Sequence, residues 1–187
     1  MLIYLKSLAR YLSQSPEHIR EELARELRER LHRKEVVETN DSDAIHYKGA
    51  MHVVERSGKL GKLIVADPDA PASLLDRLAN SNDRHILERI AEHPRVGEFT
   101  LSRLSNSIHP EVRMAVAENP CTPYEVLKNL ARDEHPDVRY RLAESPHVCR
   151  TILAILEHDE NPYVSDRAQR TLEKLINNFH AHSVCAA

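Results

Sequence analysis

Apolar positions along this chain fall into short stripes that recur at a fixed interval. Val112 and Val116 stand four apart, and Val126, Leu127 and Leu130 form a second stripe soon after. Both have the spacing of one helix face. The same pattern returns 26 residues earlier and later, marked by Pro68, Pro94, Pro120 and Pro146. Seven and ten residues past these prolines stand Leu75/Leu78, Leu101/Leu104, Leu127/Leu130 and Leu153/Leu156; eighteen past them stand Ile86, Val112, Val138 and Val164. Ala91, Ala117 and Ala143 each open an Ala-Glu-x-Pro run. Four independent position classes share the interval, which is the mark of stacked repeats.

One repeat shows how the pattern works. Pro110 pre-sets the first turn of a helix over 110–118. Pro120 pushes Asn119 out of helical conformation and ends it. Thr122-Pro123-Tyr124-Glu125 reads as a capping box, with Thr122 as N-cap and Glu125 reaching back. Val112, Val116, Val126, Leu127 and Leu130 point inward. Such a helical pair is too small to bury its own apolar face, so each repeat depends on its neighbours. Ala91, Ala117 and Ala143 lie where the next repeat comes close. The expected fold is all-α: a short α-solenoid of about four to five 26-residue helical-pair repeats.

The flanks differ. Residues 2–12 and 16–35 read as a helical hairpin broken at Ser15-Pro16, its second stripe being Ile19, Leu23, Leu27 and Leu31. It serves as an N-terminal cap over the array or, alternatively, as a weak dimerisation hairpin on an otherwise monomeric chain. A third helix is expected over 44–56. The repeat starts in degenerate form near Lys59, where Leu60 and Ile64 precede Ile86 and Ile90 by 26. A last helix over 162–178 turns Val164, Ala168, Leu172, Leu175, Ile176 and Phe179 inward. The organisation read from this is a cap over 1–58, an array over 59–179 and a tail over 180–187.

Composition narrows the possibilities. Of 187 residues only 4% are aromatic and none is Trp, so the core is aliphatic. The formal net charge of −3 gives no global basic excess for nucleic acid or an anionic membrane. Cys121, Cys149 and Cys185 are odd in number and form no CxxC, which suits free thiols in the reducing cytoplasm. No apolar run approaches the ~18 residues of a spanning helix, and no membrane partner is expected.

Candidate chemistry rests on repeated arginines. Arg113 and Arg139 are one interval apart, as are Glu111 and Asp137. They read as a structural ladder in which Asp137 of one repeat bridges Arg113 of the repeat before. Arg89, Arg141 and Arg167 share another position, and a stripe of guanidinium groups there suits either solvated ion pairs or an anion-binding track. His109 and His135 precede helix-starting prolines and read as caps. No HExxH, P-loop or GxGxxG is present, so no metal, no cofactor and no catalytic residue are expected; Cys121 and Cys149 read as inert thiols and Gly58 and Gly61 as turn or helix-end glycines.

The runs His109-Pro-Glu-Val-Arg-Met-Ala-Val-Ala-Glu-Asn-Pro120 and His135-Pro-Asp-Val-Arg-Tyr-Arg-Leu-Ala-Glu-Ser-Pro146, with Thr122-Pro-Tyr-Glu-Val-Leu127 between them, resemble the leucine-rich repeat variant family, over about residues 60–170. The resemblance implies a right-handed, HEAT-like superhelix of paired short helices and a bacterial source. One branch of that family carries an N-terminal cysteine cluster holding an iron–sulfur centre. This chain has no cysteine before Cys121, so the cluster is not carried over. The functional expectation is a non-catalytic scaffold that binds a protein partner. The alternative is a nucleic-acid-binding or DNA-repair-type HEAT-like protein using the arginine stripe. The acidic balance and the scarcity of aromatics for base stacking weigh against it.

Overall fold

In the computed structural model, residues 10–11, 13–18, 20–21, 24–25 and 58–184 are described. The stripe at Ile19, Leu23, Leu27 and Leu31 and the helix expected over 44–56 lie outside them. Nine helices occupy 58–184: α1 (Gly58–Ala66), α2 (Ala72–Leu78), α3 (Arg84–Glu92), α4 (Glu98–Leu104), α5 (Pro110–Glu118), α6 (Tyr124–Leu130), α7 (Pro136–Glu144), α8 (Arg150–Leu156) and α9 (Pro162–Val184). The described residues contain no strand, and the fold is all-α. The odd-numbered members α1, α3, α5, α7 and α9 begin at 26-residue intervals, and so do α2, α4, α6 and α8.

Three of the helices end for a reason the sequence states. His93, Asn119 and Ser145 precede prolines and take extended ψ angles of 133°, 125° and 126°, as the clash with a following proline ring requires. Starts are set by side chains two residues upstream of a backbone N–H. Ser81, Ser107, Asp133 and Asp159, all 26 apart, accept from the amides of Asp83, His109, His135 and Asn161 at 2.8–3.2 Å. A second column does the same after the odd-numbered helices: Asp67, His93 and Asn119 accept from Asp69, Arg95 and Cys121 at 2.9–3.1 Å. These short polar turns hold the connections rigid.

The capping box expected at Thr122 is replaced by another bond. Thr122 is buried and occupies the position of Val96 and Val148 in neighbouring repeats. Its hydroxyl faces inward and donates to the Val116 carbonyl at 2.6 Å, a second donor to a helix-end carbonyl that also accepts from Asn119 N at 3.2 Å. Pro123 is the N-cap of α6.

The described chain forms two compact units, 1–100 and 101–187, the division falling within α4. In the first, α3 packs against α1 and α2. Gly61 lies inside α1 rather than at a turn: a Cβ there would meet Ile86 Cδ1 at 2.9 Å, so a larger residue would require that terminal methyl to move aside. The buried Tyr11 donates its hydroxyl to Asp67 Oδ2 at 2.7 Å, and Ser15 donates back to the Tyr11 carbonyl. Burial and the bond to Asp67 both raise the Tyr11 phenol pKa.

In the second unit α7 is central. It packs against α5 on one side and α9 on the other, with α6 against α5 and α7, and α8 against α7 and α9. Val112, Val116, Leu130, Val138, Leu142, Leu153, Leu156 and Val164 are buried between these layers, and Ala117 and Ala143 lie at the close approaches. The last helix departs from expectation. It continues to Val184, past the boundary placed at 180. Val164 and Ala168 are buried, Leu172 and Leu175 half-buried, but Ile176 is 43% exposed. Length explains this: α9 has 23 residues and α7 has 9, about 34 Å against about 14 Å at 1.5 Å per residue. Thr171, which donates to the Ala143 carbonyl at 2.8 Å, lies near the end of that overlap.

Leu142 is fully buried on α7. Leu142→Ala should lower unfolding free energy by about 2–5 kcal/mol, read from urea denaturation followed by far-ultraviolet circular dichroism. A change under about 0.5 kcal/mol would contradict the central place of α7.

Candidate functional site

The repeated arginines divide into two sets by burial. Arg113 and Arg139 are buried along their whole length. Arg113 donates through Nε and Nη2 to both oxygens of Asp133 at 2.8 Å, and through Nη1 to the Ser107 carbonyl at 2.7 Å. Arg139 repeats this one interval later, on Asp159 at 2.7 and 3.1 Å and on the Asp133 carbonyl at 2.6 Å. The paired side chains of Arg113 and Asp133 are only 8% and 7% exposed. Hydrogen bonding to the carboxylate raises each guanidinium pKa, outweighing the opposing effect of burial. Both arginines therefore stay charged at any pH the fold tolerates.

The carboxylate bridging Arg113 is thus Asp133, not Asp137. Asp133 sits in the turn ahead of α7, its side chain already aimed inward by the bond to His135 N. Asp137 lies in the first turn of α7, 72% exposed and 3.7 Å from His135 Nδ1. Glu111 occupies the equivalent first turn of α5. His135 acts as a cap, its Nδ1 accepting from Asp137 N at 3.3 Å; His109 is an N-cap without a side-chain bond.

The second set is engaged by carboxylates nearer the surface. In the first unit Arg89 meets Glu92 at 2.7 Å. In the second, Arg141 lies between Glu118 at 3.0 Å and Glu144 at 3.6 Å, and Arg167 reaches Glu144 at 2.7 Å. Each guanidinium of the expected track has an acidic neighbour, which lowers the positive potential offered to an external anion.

Sequence reading missed Asp133 and Asp159. Their signal was present: each follows its arginine by 20 residues, and where the arginine position is Leu87 the partner position is Ser107. Charge and counter-charge come and go together across repeats. Also missed was a surface cleft in the second unit, of about 300 Å³, lined by Pro136, Asp137, Tyr140, Asn161, Tyr163 and Val164.

Cys149 is the N-cap of α8, its Sγ 3.0 Å from Thr151 Oγ1. Burial pushes the thiol up, but hydrogen bonds from the Thr151 hydroxyl and from the backbone at Ile152 and Thr151 together hold it below the ordinary cysteine range. Among the described residues no three His, Cys, Asp or Glu side chains converge as a metal site, and no helix is long and apolar enough to cross a membrane.

Two outcomes follow from this geometry. Arg113→Leu alone should cost about 3–5 kcal/mol, because Asp133 is left buried and uncompensated. The pair Arg113→Leu/Asp133→Ser copies Leu87 and Ser107 and should recover most of that loss, giving a favourable coupling in a denaturation double-mutant cycle. Additive single effects would contradict the ladder. With Cys121 and Cys185 replaced by Ser, Cys149 should alkylate with iodoacetamide at a lower pH than a cysteine in an unstructured peptide, and Thr151→Val should move that profile upward. An unmoved profile would remove the hydroxyl as its cause.

Compared with protein-family models, with curated proteins and with solved structures, the chain matches none.

Proposed function

We propose that this chain is a non-catalytic scaffold that holds a protein partner on a short right-handed solenoid of four to five 26-residue helical-pair repeats. The observation that carries the reading is the use of the repeated charges. The helices recur at one interval in both units, and the arginines recurring with them are spent on carboxylates of the chain: Arg113 on Asp133, Arg139 on Asp159, Arg141 and Arg167 on Glu118 and Glu144. A helical array whose charges are consumed in its own seams offers surface rather than chemistry. The likeness to leucine-rich repeat variants adds the handedness, and the odd number of cysteines without a CxxC suits a reducing cytoplasm. With its charges so arranged, the array leaves nucleic acid without a continuous basic track.

The test is selection of phage-displayed peptides on the full chain, beside a gel-shift assay with duplex DNA at near-physiological salt. Peptides sharing a motif and binding with roughly micromolar Kd, with no DNA shift, are expected. A salt-sensitive DNA shift lost in Arg89→Gln/Arg141→Gln/Arg167→Gln, with no peptide enriched, would replace this reading with the nucleic-acid one.

A further inference from the structure

The cleft between the first turns of α7 and α9 has a built frame. Asn161 on its rim donates its amide to Asp159 Oδ1 at 2.8 Å, and its side-chain Oδ1 accepts from Tyr163 N at 3.0 Å. Asp159 is itself clamped by Arg139. The buried ion-pair ladder thus fixes the position at which Tyr163 leaves the chain. Val164 behind it is fully buried, and Tyr140 is half-buried on the facing helix.

What this frame presents is unusual for a surface. Tyr163 is 76% exposed, although tyrosine is large and largely apolar. Asp137 beside it is also mostly exposed, and its nearest basic neighbour is a histidine at 3.7 Å rather than a lysine or arginine. No lysine or arginine lines the cleft. The turns leading into α7 and α9 carry Glu134 and Glu160, exposed but already 3.6 Å from Arg113 and 3.3 Å from Arg139. Two phenol rings and a carboxylate, with no basic residue in the lining, match a cation that is flat and partly apolar. Aromatic faces attract cations, and a carboxylate accepts two parallel bonds from a guanidinium but only point contacts from an ammonium. The volume, about 300 Å³, suits one long side chain and is at the low end for small-molecule sites.

We infer that the Tyr140–Tyr163–Asp137 cleft binds an arginine side chain from a basic segment of a protein partner. This deepens the scaffold reading and rests on it. The ring of Tyr163 stacks on the guanidinium plane while Asp137 accepts its N–H groups.

The probe is a fluorescein-labelled 12-residue peptide of arginine alternating with glycine and serine, compared with the same peptide carrying citrulline, which keeps the shape and removes the charge. Fluorescence polarisation gives the affinity, and amide chemical shifts of the full chain give the location. The arginine peptide should bind at least about tenfold more tightly than the citrulline peptide, the size of a lost charge-assisted contact. It should shift amides at 137–140 and 161–164. Tyr163→Ala and Asp137→Asn, both at exposed positions, should keep the melting temperature and should each weaken binding about tenfold. Glu125→Gln, an exposed acid on α6, should change nothing. Equal binding of citrulline, wild-type affinity in Tyr163→Ala and Asp137→Asn, or an equal loss in Glu125→Gln would overturn the assignment. If displayed peptides share a motif without arginine and bind both cleft variants normally, the scaffold reading stands and the cleft assignment falls; if no motif is enriched, both fall.

Discussion

A helix of seven or nine residues leaves nearly as many backbone groups open at its ends as it closes within. Four N–H and four C=O groups at each helix want partners from outside the helix, and eight of the nine helices between 58 and 184 are this short. The protein therefore depends on how helix ends are satisfied more than on helix interiors. The repeating column Ser81, Ser107, Asp133, Asp159 meets this need at helix starts with one side chain each, while Asp67, His93 and Asn119 hold the turns that follow the longer helices. Where the column position lies deeper, the same logic recruits more distant groups: His93 Nε2 lies 2.9 Å from the Asp67 carbonyl one interval back, and Thr122 closes on Val116.

The buried arginines belong to the same economy. An ion pair this well covered gains little net stability over an apolar pair of equal volume. Leu87 with Ser107 shows that the sequence accommodates the uncharged choice elsewhere. Arg113 and Arg139 add something leucine cannot: each also ties down a turn carbonyl, of Ser107 and of Asp133. The guanidinium fixes one turn against the next by both its carboxylate and its backbone, which specifies register between neighbouring helices. The Asp137 cleft inherits this rigidity through Asp159 and Asn161.

Much of the fold was legible because proline and aliphatic positions act locally. Pro94, Pro120 and Pro146 end their helices wherever they stand, and Val112, Leu142 and Val164 are buried by spacing alone. Features set by a neighbour in space were harder to read. Thr122 looks like an N-cap until Val96 and Val148 show that its column faces inward. Asp137 and Asp133 are both plausible partners for Arg113 in sequence; only the inward aim of a turn, set by a bond to His135 N, chooses between them. Ile176 continues an apolar stripe that α7 is too short to cover. The cleft was hidden by a change of chemistry within one position class: Asp137 and Tyr163 stand one interval apart, a carboxylate in one place and a phenol in the other.

Asp133 serves two arginines at once, Arg113 with its side chain and Arg139 with its carbonyl. This gives the chain a grammar for growth by duplication. A copied segment of 26 residues that carries both arginine and aspartate joins its own ends without an orphaned charge, because the incoming acceptor is identical to the one it displaces. Joining a leucine-bearing segment ahead of Asp133 strands a carboxylate, and removing any other number of residues separates donor from acceptor altogether. Length can change in whole modules, and only certain modules are compatible neighbours.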